Sequence, residues 1–230
     1  AAPAGTARGQ SLSPAVLWAA FGTAAVAALA YGFLYSWRGE GPARALLKMA
    51  GILILAGIAF AAGGPWLLWA ALVASAVGDL FLAGKPARWL LPGMGAFFLA
   101  HVFYVVLFWQ LGEGGGWSWP VKIAQAALVL GGVFYIRWLV PWTPAKMRLP
   151  VILYGAVILM MGAAAIALPG AYWLVTAGAL MFIASDSILA HQLFCRPADA
   201  PPQKLASYAV WFLYFFGQAA ITLGLILPLS

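Results

Sequence analysis

The sequence predicts an all-α integral membrane protein, a bundle of eight transmembrane helices, from three observations. Of its 230 residues, 65% are hydrophobic and 7% are charged, whereas a soluble domain has about 25% charged residues. The apolar segments lack a polar face, and each is close to the ~20 residues that cross ~30 Å of hydrocarbon. Sustained alternation of polar and apolar residues, the mark of a membrane β-barrel, is missing.

The predicted spans follow one another along the whole chain after a short leading segment. Residues 1–13 are interpreted as a disordered tail or an expression remnant, so that 14–230 forms one transmembrane domain. The eight spans are 14–36, 44–63, 66–83, 91–111, 119–138, 149–168, 171–194 and 205–227. Five predicted starts have a proline at or beside them, where a missing N–H costs nothing, namely Pro14, Pro65, Pro92, Pro120 and Pro150.

Basic residues divide unequally between the two sides of this topology. One side receives Arg38, Arg44, Lys48, Lys85, Arg88, Arg137, Lys146, Arg148, Arg196 and Lys204, and the other only Arg8 and Lys122. Because Lys and Arg accumulate in cytoplasmic loops, we expect both termini to lie on the non-cytoplasmic side of the membrane. The expected membrane is a bacterial inner membrane. The net charge of +7 then helps to orient the protein in the membrane and attracts anionic lipid headgroups. The lipid bilayer, and no nucleic acid, is the expected partner.

Two stretches place an acid inside an apolar span. AVGDLFLA (76–83) contains Asp79 and ASDSILA (184–190) contains Asp186, in a shared D-x-φ-L-A pattern. An ionised side chain within a membrane span is costly, so each acid is a candidate functional residue.

Counting along the helices places both acids at one depth. Asp79 lies 13 residues after Trp66 and Asp186 lies 14 residues after Tyr172, so each is ~20 Å along a span that runs towards the cytoplasm. A catalytic pair is one interpretation of this common level. The alternative is that each acid forms a structural ion pair or hydrogen bond, for example with Lys48, and fixes helix packing.

Other polar side chains of the spans are candidates for substrate contacts. They are Lys48, His101, Tyr104, Tyr154, Ser185, His191, Tyr208 and Gln218. Each also has an ordinary interpretation: His101 as a core histidine bonded to a neighbouring helix, and Lys48 as a lysine that extends to the interface.

Several chemistries lack their residues. The single cysteine, Cys195, excludes an internal disulfide and fits no metal spacing. Neither H-x₃-H nor HExxH is present, so no metal or other cofactor is expected. The chain also has no G-x-S-x-G motif of a serine hydrolase.

Five stretches together carry a family resemblance. They are GDLFLAG (78–84), AFFLAHVFY (96–104), LPVILYGAVILMMG (149–162), GALMFIASDSILAHQLF (178–194) and SYAVWFLYFFGQ (207–218). From about Lys48 to Gln218 the chain resembles the YhhN family, the lysoplasmalogenases. The paired GD and SD motifs and the intervening H-x-x-Y are the specific parts of this likeness.

The resemblance implies an eight-helix membrane hydrolase that cleaves the vinyl ether of a lysophospholipid. The products would be a fatty aldehyde and glycerophospho-ethanolamine or -choline. The motif aspartates correspond to Asp79 and Asp186, and the family's histidine and tyrosine to His101 and Tyr104. Looser matches are Lys48, Tyr154, Tyr208 and Gln218. The family often has a proline after the helix-two lysine, where this chain has Met49.

Vinyl ether hydrolysis suits a pair of acids. The bond breaks once a proton reaches the β-carbon, because the ether oxygen shares the resulting cation as an oxocarbenium ion. Burial and mutual repulsion oppose a second negative charge, so two close acids can hold one proton near neutral pH. We therefore expect one aspartate to protonate carbon and the other to stabilise the cation and activate water, much as glycosidases divide two acids.

Three other functional classes remain open at this stage. The acids could form the proton relay of a proton-coupled transporter of lipids or small molecules. The helices could form a non-catalytic scaffold or lipid receptor. A metal-dependent membrane amidase or esterase is the alternative enzyme. No oligomeric state is predicted.

Overall fold

The fold is all-α, as predicted. The computed structural model describes residues 13–39, 41–112, 118–197 and 200–227, so the expected tail, apart from Ser13, lies outside the described residues. Within these ranges the α-helices are α1 (Pro14–Tyr35), α2 (Pro42–Ala61), α3 (Trp66–Leu82), α4 (Pro86–Gly112), α5 (Trp119–Leu139), α6 (Ala145–Ile166), α7 (Trp173–Phe194) and α8 (Lys204–Ile226). Single turns of 3₁₀ helix, Val140–Trp142 and Gly170–Tyr172, follow α5 and precede α7.

Two helix starts differ from the prediction. α4 begins at Pro86 and α6 at Ala145, whereas the sequence analysis placed those starts beside Pro92 and Pro150, which lie inside the helices. Upstream prolines set the true starts, since Pro86 opens α4 and Pro144 is the N-cap of α6. An internal proline loses one backbone hydrogen bond, but neighbouring groups in a membrane bundle allow the helix to continue.

Seven of the eight described helices are long and apolar enough to cross a membrane, and the chain is an integral membrane protein. The exception is α3, which has 17 residues and rises ~25 Å. That length is at the lower limit of the ~17–25 residues used by transmembrane helices. The short α3 brings Asp79 within one turn of its C-terminal end.

Helices α7 and α8 pack more extensively than any other described pair. A Cβ built on Gly178 would lie 2.5 Å from the Gly217 carbonyl oxygen, and one on Gly217 would lie 2.8 Å from that of Gly178. Only glycine permits this backbone approach, which is typical of small-residue contacts between membrane helices. The contact fixes α7 against α8, and Asp186 and Tyr214 of these two helices line one cavity.

The other helices enclose an internal space beside this pair. α2 packs on α1, α3 and α8, α3 packs on α4, and α4 packs on α6. α5 is peripheral: it contacts α6 and, less extensively, α7, and Leu139 is its buried residue among those described. We call the end where α1, α3, α5 and α7 finish the basic end, because Arg38, Lys85, Arg88, Arg137, Lys146, Arg148, Arg196 and Lys204 lie at or near it.

Candidate active site

Asp79 is a fully buried carboxylate near the end of α3. Its Oδ1 lies 2.9 Å from Lys48 Nζ of α2, and the side chains are 1% and 14% exposed respectively. The Tyr214 hydroxyl of α8 donates to Asp79 Oδ2 at 2.8 Å. Both oxygens therefore have a partner that favours the ionised carboxylate.

Asp186 lies on α7 and is only partly buried. The Tyr154 hydroxyl of α6 donates to Asp186 Oδ2. Among the described residues no ion pair joins Asp186 to a cation. Asp186 therefore has one hydrogen-bond donor, whereas Asp79 has a hydrogen-bond donor and a paired cation.

Both carboxylates line one cavity of about 740 Å³. An electrostatic interaction links the two acids, and Lys48 interacts with both. Tyr154 and Tyr214 also line the cavity, and most of the remaining lining is apolar. The volume falls within the ~300–1,000 Å³ typical of small-molecule sites.

The cavity lining changes in chemical character between the basic end and the interior of the bundle. Trp37 and Arg38 line it at the basic end, whereas Ala127 and Leu128 of α5 and Ile158 of α6 line it deeper in the bundle. A molecule with a polar head and an apolar tail therefore matches the change in its lining.

A second polar network lies one helical turn beyond Asp79, outside the cavity lining. The Tyr104 hydroxyl donates to Gln218 Oε1 at 2.5 Å, and Gln218 Nε2 donates to Ser75 Oγ at 2.9 Å. All three side chains are buried. Since Gln218 lies one turn after Tyr214 on α8, this network fixes α3, α4 and α8 around the Asp79 pair.

His101 is fully buried and also lies outside the cavity lining. Its Nδ1 is 2.6 Å from the Phe97 carbonyl oxygen. A carbonyl only accepts, so Nδ1 carries the hydrogen, and Nε2 has no hydrogen-bond partner among the described residues. The ring packs edge-on against Tyr154 at 5.3 Å and Phe182 at 4.7 Å between centroids, so His101 supports the tyrosine that holds Asp186.

Ser185 lines the cavity, but its hydroxyl serves the helix contact. Ser185 Oγ donates to the Val210 carbonyl oxygen of α8 at 2.8 Å. His191 and Tyr208 lie outside the cavity lining. His191 is exposed and stacked on Trp138 at 5.9 Å between centroids, and Tyr208 packs among aromatic rings of α1 and α8.

Tyr214 is a site residue that the sequence analysis missed. It lies four residues before Gln218, so the two share one face of α8, and this spacing was the available signal. Arg44 was also missed as a site residue, although it lies four residues before Lys48 and lines the same cavity. Among the described residues, no group of three His, Cys, Asp or Glu side chains is arranged to hold a metal ion.

Comparison of the sequence with known proteins identifies a family. The YhhN family model matches residues 43–225. The chain belongs to the YhhN family. The match includes every cavity residue from Arg44 to Tyr214 and confirms the resemblance found in the sequence.

Curated relatives of this YhhN protein are enzymes. Lysoplasmalogenase TMEM86B of Homo sapiens is 32% identical over 189 residues, covering 78% of this chain and 74% of that protein. Lysoplasmalogenase TMEM86B of Rattus norvegicus is 33% identical over 189 residues, covering 78% and 72%. Lysoplasmalogenase TMEM86A of Bos taurus is 31% identical over 165 residues, covering 68% and 64%. No solved structure matches the chain.

Proposed function

We propose that this YhhN protein hydrolyses the vinyl ether bond of 1-alkenyl lysophospholipids with ethanolamine or choline headgroups. The similarity to lysoplasmalogenases supports an alkenyl ether hydrolase. The observation that carries the proposal is that Asp79 and Asp186, from different helices, line one largely apolar cavity and interact electrostatically. The alkenyl chain occupies the deep apolar part, and the glycerol lies near the acids.

The surroundings of the two acids support different roles in this mechanism. Asp79 faces an ammonium group and a tyrosine hydroxyl, so it is the ionised member. Asp186 has a tyrosine donor and no cation at ion-pair distance among the described residues, so it is the protonated member. Splitting two carboxyl groups by their environments is a general way to obtain one acid and one base.

The reaction begins with proton transfer to carbon. Asp186 donates its proton to the β-carbon of the alkenyl group, and the ether oxygen shares the positive charge that develops on the α-carbon. The negative charge of Asp79 stabilises this cation in the poorly hydrated cavity. Water then adds to the α-carbon and gives its proton to Asp79, which forms a hemiacetal.

Collapse of the hemiacetal returns both acids to their starting states. Asp79 gives its proton to the ether oxygen, which leaves as the glycerol hydroxyl. Asp186 accepts the proton of the hemiacetal hydroxyl as the aldehyde carbonyl forms. One water is consumed, and no oxidant or reductant enters. Tyr154 and Tyr214 hold the carboxyl groups throughout.

A substrate series tests the activity. Purified protein is incubated with alkenyl, alkyl and acyl lysophospholipids of equal chain length, and aldehyde and fatty acid are measured. We expect aldehyde from the alkenyl lipid alone, because only that lipid has a carbon that can accept the proton. Hydrolysis of the acyl lipid alone would replace the vinyl ether assignment with an esterase. Transmembrane flux without product in proteoliposomes would indicate a transporter, and binding without either would indicate a receptor.

We also propose that the protein lies in a bacterial inner membrane with its basic end on the cytoplasmic side. Both termini then lie on the opposite side. The unequal distribution of Lys and Arg supports this orientation. Cys195, the single cysteine, lies in the loop between α7 and α8 at the basic end. A membrane-impermeant maleimide should label it only in permeabilised cells. Labelling of intact spheroplasts would reverse the orientation.

A further inference from the structure

Three of the polar side chains that line the cavity at or near the basic end each carry a buried donor atom without a hydrogen-bond partner among the described residues. Trp37 follows α1, Arg44 lies on α2 and Gln192 lies on α7. We call these three residues the mouth cluster. Arg44 precedes Lys48 by one helical turn, so the cluster lies roughly 6 Å nearer the basic end than the acids.

The mouth cluster contains three buried hydrogen-bond donors without acceptors. Nε1 of Trp37, Nε of Arg44 and Nε2 of Gln192 are each buried, and none has a hydrogen-bond partner among the described residues. A buried donor without an acceptor is costly. Three such donors from three segments of the chain therefore favour a ligand that brings several acceptor oxygens.

Among the described residues, no carboxylate forms an ion pair with Arg44. Its Nη1 donates to the Ala83 carbonyl oxygen at 3.0 Å, which fixes the guanidinium group but supplies no countercharge. The acid with which it interacts, Asp79, already pairs with Lys48 at 2.9 Å. The mouth cluster is therefore positive, while the carboxylates lie one turn deeper.

Cations also surround the indole of Trp37. The Lys204 ammonium lies 4.3 Å from its ring centroid, and the Arg38 guanidinium carbon lies 5.3 Å from it. These contacts hold the ring in place at the cavity lining. Because two protein cations already contact the ring, binding of a ligand cation such as a quaternary ammonium group to the same ring is disfavoured.

We propose that the mouth cluster binds the phosphate of the lysophospholipid, and that phosphate, rather than the headgroup amine, is what the site recognises. The inference rests on the proposed function and extends it. A phosphodiester carries a negative charge and acceptor oxygens that match an arginine and neutral N–H donors. The glycerol then spans the turn between the mouth cluster and the acids, which brings the ether bond to Asp79 and Asp186. Ethanolamine and choline lipids should accordingly react at similar rates.

Removing phosphate from the substrate tests the site. The substrates are a 1-alkenyl lysophospholipid and the 1-alkenylglycerol with the same chain. Arg44→Gln should lower kcat/KM at least about tenfold more for the phospholipid than for the alkenylglycerol, because charge-assisted hydrogen bonds are the strong ones. Trp37→Phe keeps an aromatic ring without the N–H donor and leaves the contact between Arg44 and the Ala83 carbonyl oxygen intact. It should lower kcat/KM for the phospholipid about threefold.

Arg148 provides a matched control. Its guanidinium group donates to the Thr143 carbonyl oxygen at 3.2 Å, but it lies outside the cavity lining. Arg148→Gln should therefore leave the preference for phosphate unchanged. Equal losses on both substrates in Arg44→Gln and Trp37→Phe would overturn the phosphate site, since that result indicates damage to the whole site.

Binding of a lipid that is not cleaved separates this inference from the proposed function. A 1-alkyl lysophospholipid has no alkenyl carbon to protonate, so its affinity reports recognition without reaction. We expect wild type to bind it about tenfold or more tightly than Arg44→Gln, and 1-alkylglycerol to bind both equally. That result without aldehyde release from alkenyl lipids would retain the phosphate site and reject the hydrolase. Equal binding of the phospholipid by both proteins would reject the phosphate site.

Discussion

The two acids of the cavity differ in their burial and in the partners of their carboxyl groups. Asp79 is completely buried between α2, α3 and α8, with Lys48 on one oxygen and Tyr214 on the other. Asp186 is partly buried on the α6 and α7 side, where Tyr154 is its hydrogen-bond donor. The same residue type in one cavity thus has different neighbours: Asp79 has a paired ammonium group, and Asp186 has no cation at ion-pair distance among the described residues.

The largest expected effect is the loss of either aspartate's role in proton transfer. Asp79→Asn and Asp186→Asn should each lower aldehyde release about a thousandfold or more, since general acid and base groups contribute ~10²–10⁴ in rate. Asparagine keeps the shape of the side chain, so insertion in the membrane should be unchanged. A variant that keeps full turnover would exclude its aspartate from the mechanism.

Stability should separate the two asparagine variants. Asp79→Asn leaves Lys48 without its countercharge in a mostly buried position, and breaking such a pair costs about 3 kcal/mol or more. Asp186→Asn retains an oxygen that accepts from Tyr154, so its cost should be below about 1 kcal/mol. Unfolding of both proteins in the same detergent measures the difference. Equal losses of stability would mean that the two acids have equivalent surroundings.

The two tyrosines allow a matched comparison of single hydrogen bonds. Tyr154→Phe removes the hydroxyl donor from Asp186 and should lower kcat about thirtyfold, as expected for a hydrogen bond to a charged or reacting group. Tyr214→Phe leaves Lys48 on Asp79, so we expect only about a threefold loss. Initial rates at saturating substrate provide the comparison. A larger loss in Tyr214→Phe would reverse the assignment of roles.

The smallest effect is expected at two residues that the sequence analysis placed in the site. His191 and Tyr208 lie outside the cavity lining, so His191→Gln and Tyr208→Phe should change kcat/KM less than about twofold. Titration of activity against substrate for each variant measures this. A tenfold loss in either variant would mean that the site extends beyond the cavity.

The sequence predicts the position of a residue along its helix better than it predicts which side of the helix faces the core. The number of helices follows from the length of each apolar run, and the fixed rise of an α-helix is the basis for predicting Asp79 and Asp186 at one level. The structure places both acids on one cavity. Which side of a helix faces the core does not follow in the same way, because these helices are apolar on all sides and show no polar face. Hence Tyr208 was selected on α8 although Tyr214, about two turns further along, is the residue that contacts Asp79.

The helix starts and the mouth cluster illustrate the same limit at the ends of the helices. Pro92 was predicted beside a start, but an equally suitable proline, Pro86, lies six residues earlier and opens α4. Arg44 was counted only as an orientation charge, because composition cannot distinguish an arginine in a loop from one whose guanidinium group lines a cavity.

Turnover in water labelled with both deuterium and ¹⁸O tests the central claim most directly. Proton transfer from Asp186 to carbon predicts one deuterium on the carbon next to the aldehyde, trapped by immediate reduction. Addition of water to the same alkenyl group predicts a glycerophospho product whose hydroxyl oxygens contain no ¹⁸O. An aldehyde without deuterium, or ¹⁸O in the glycerol product, would contradict an acid pair that protonates the alkenyl carbon.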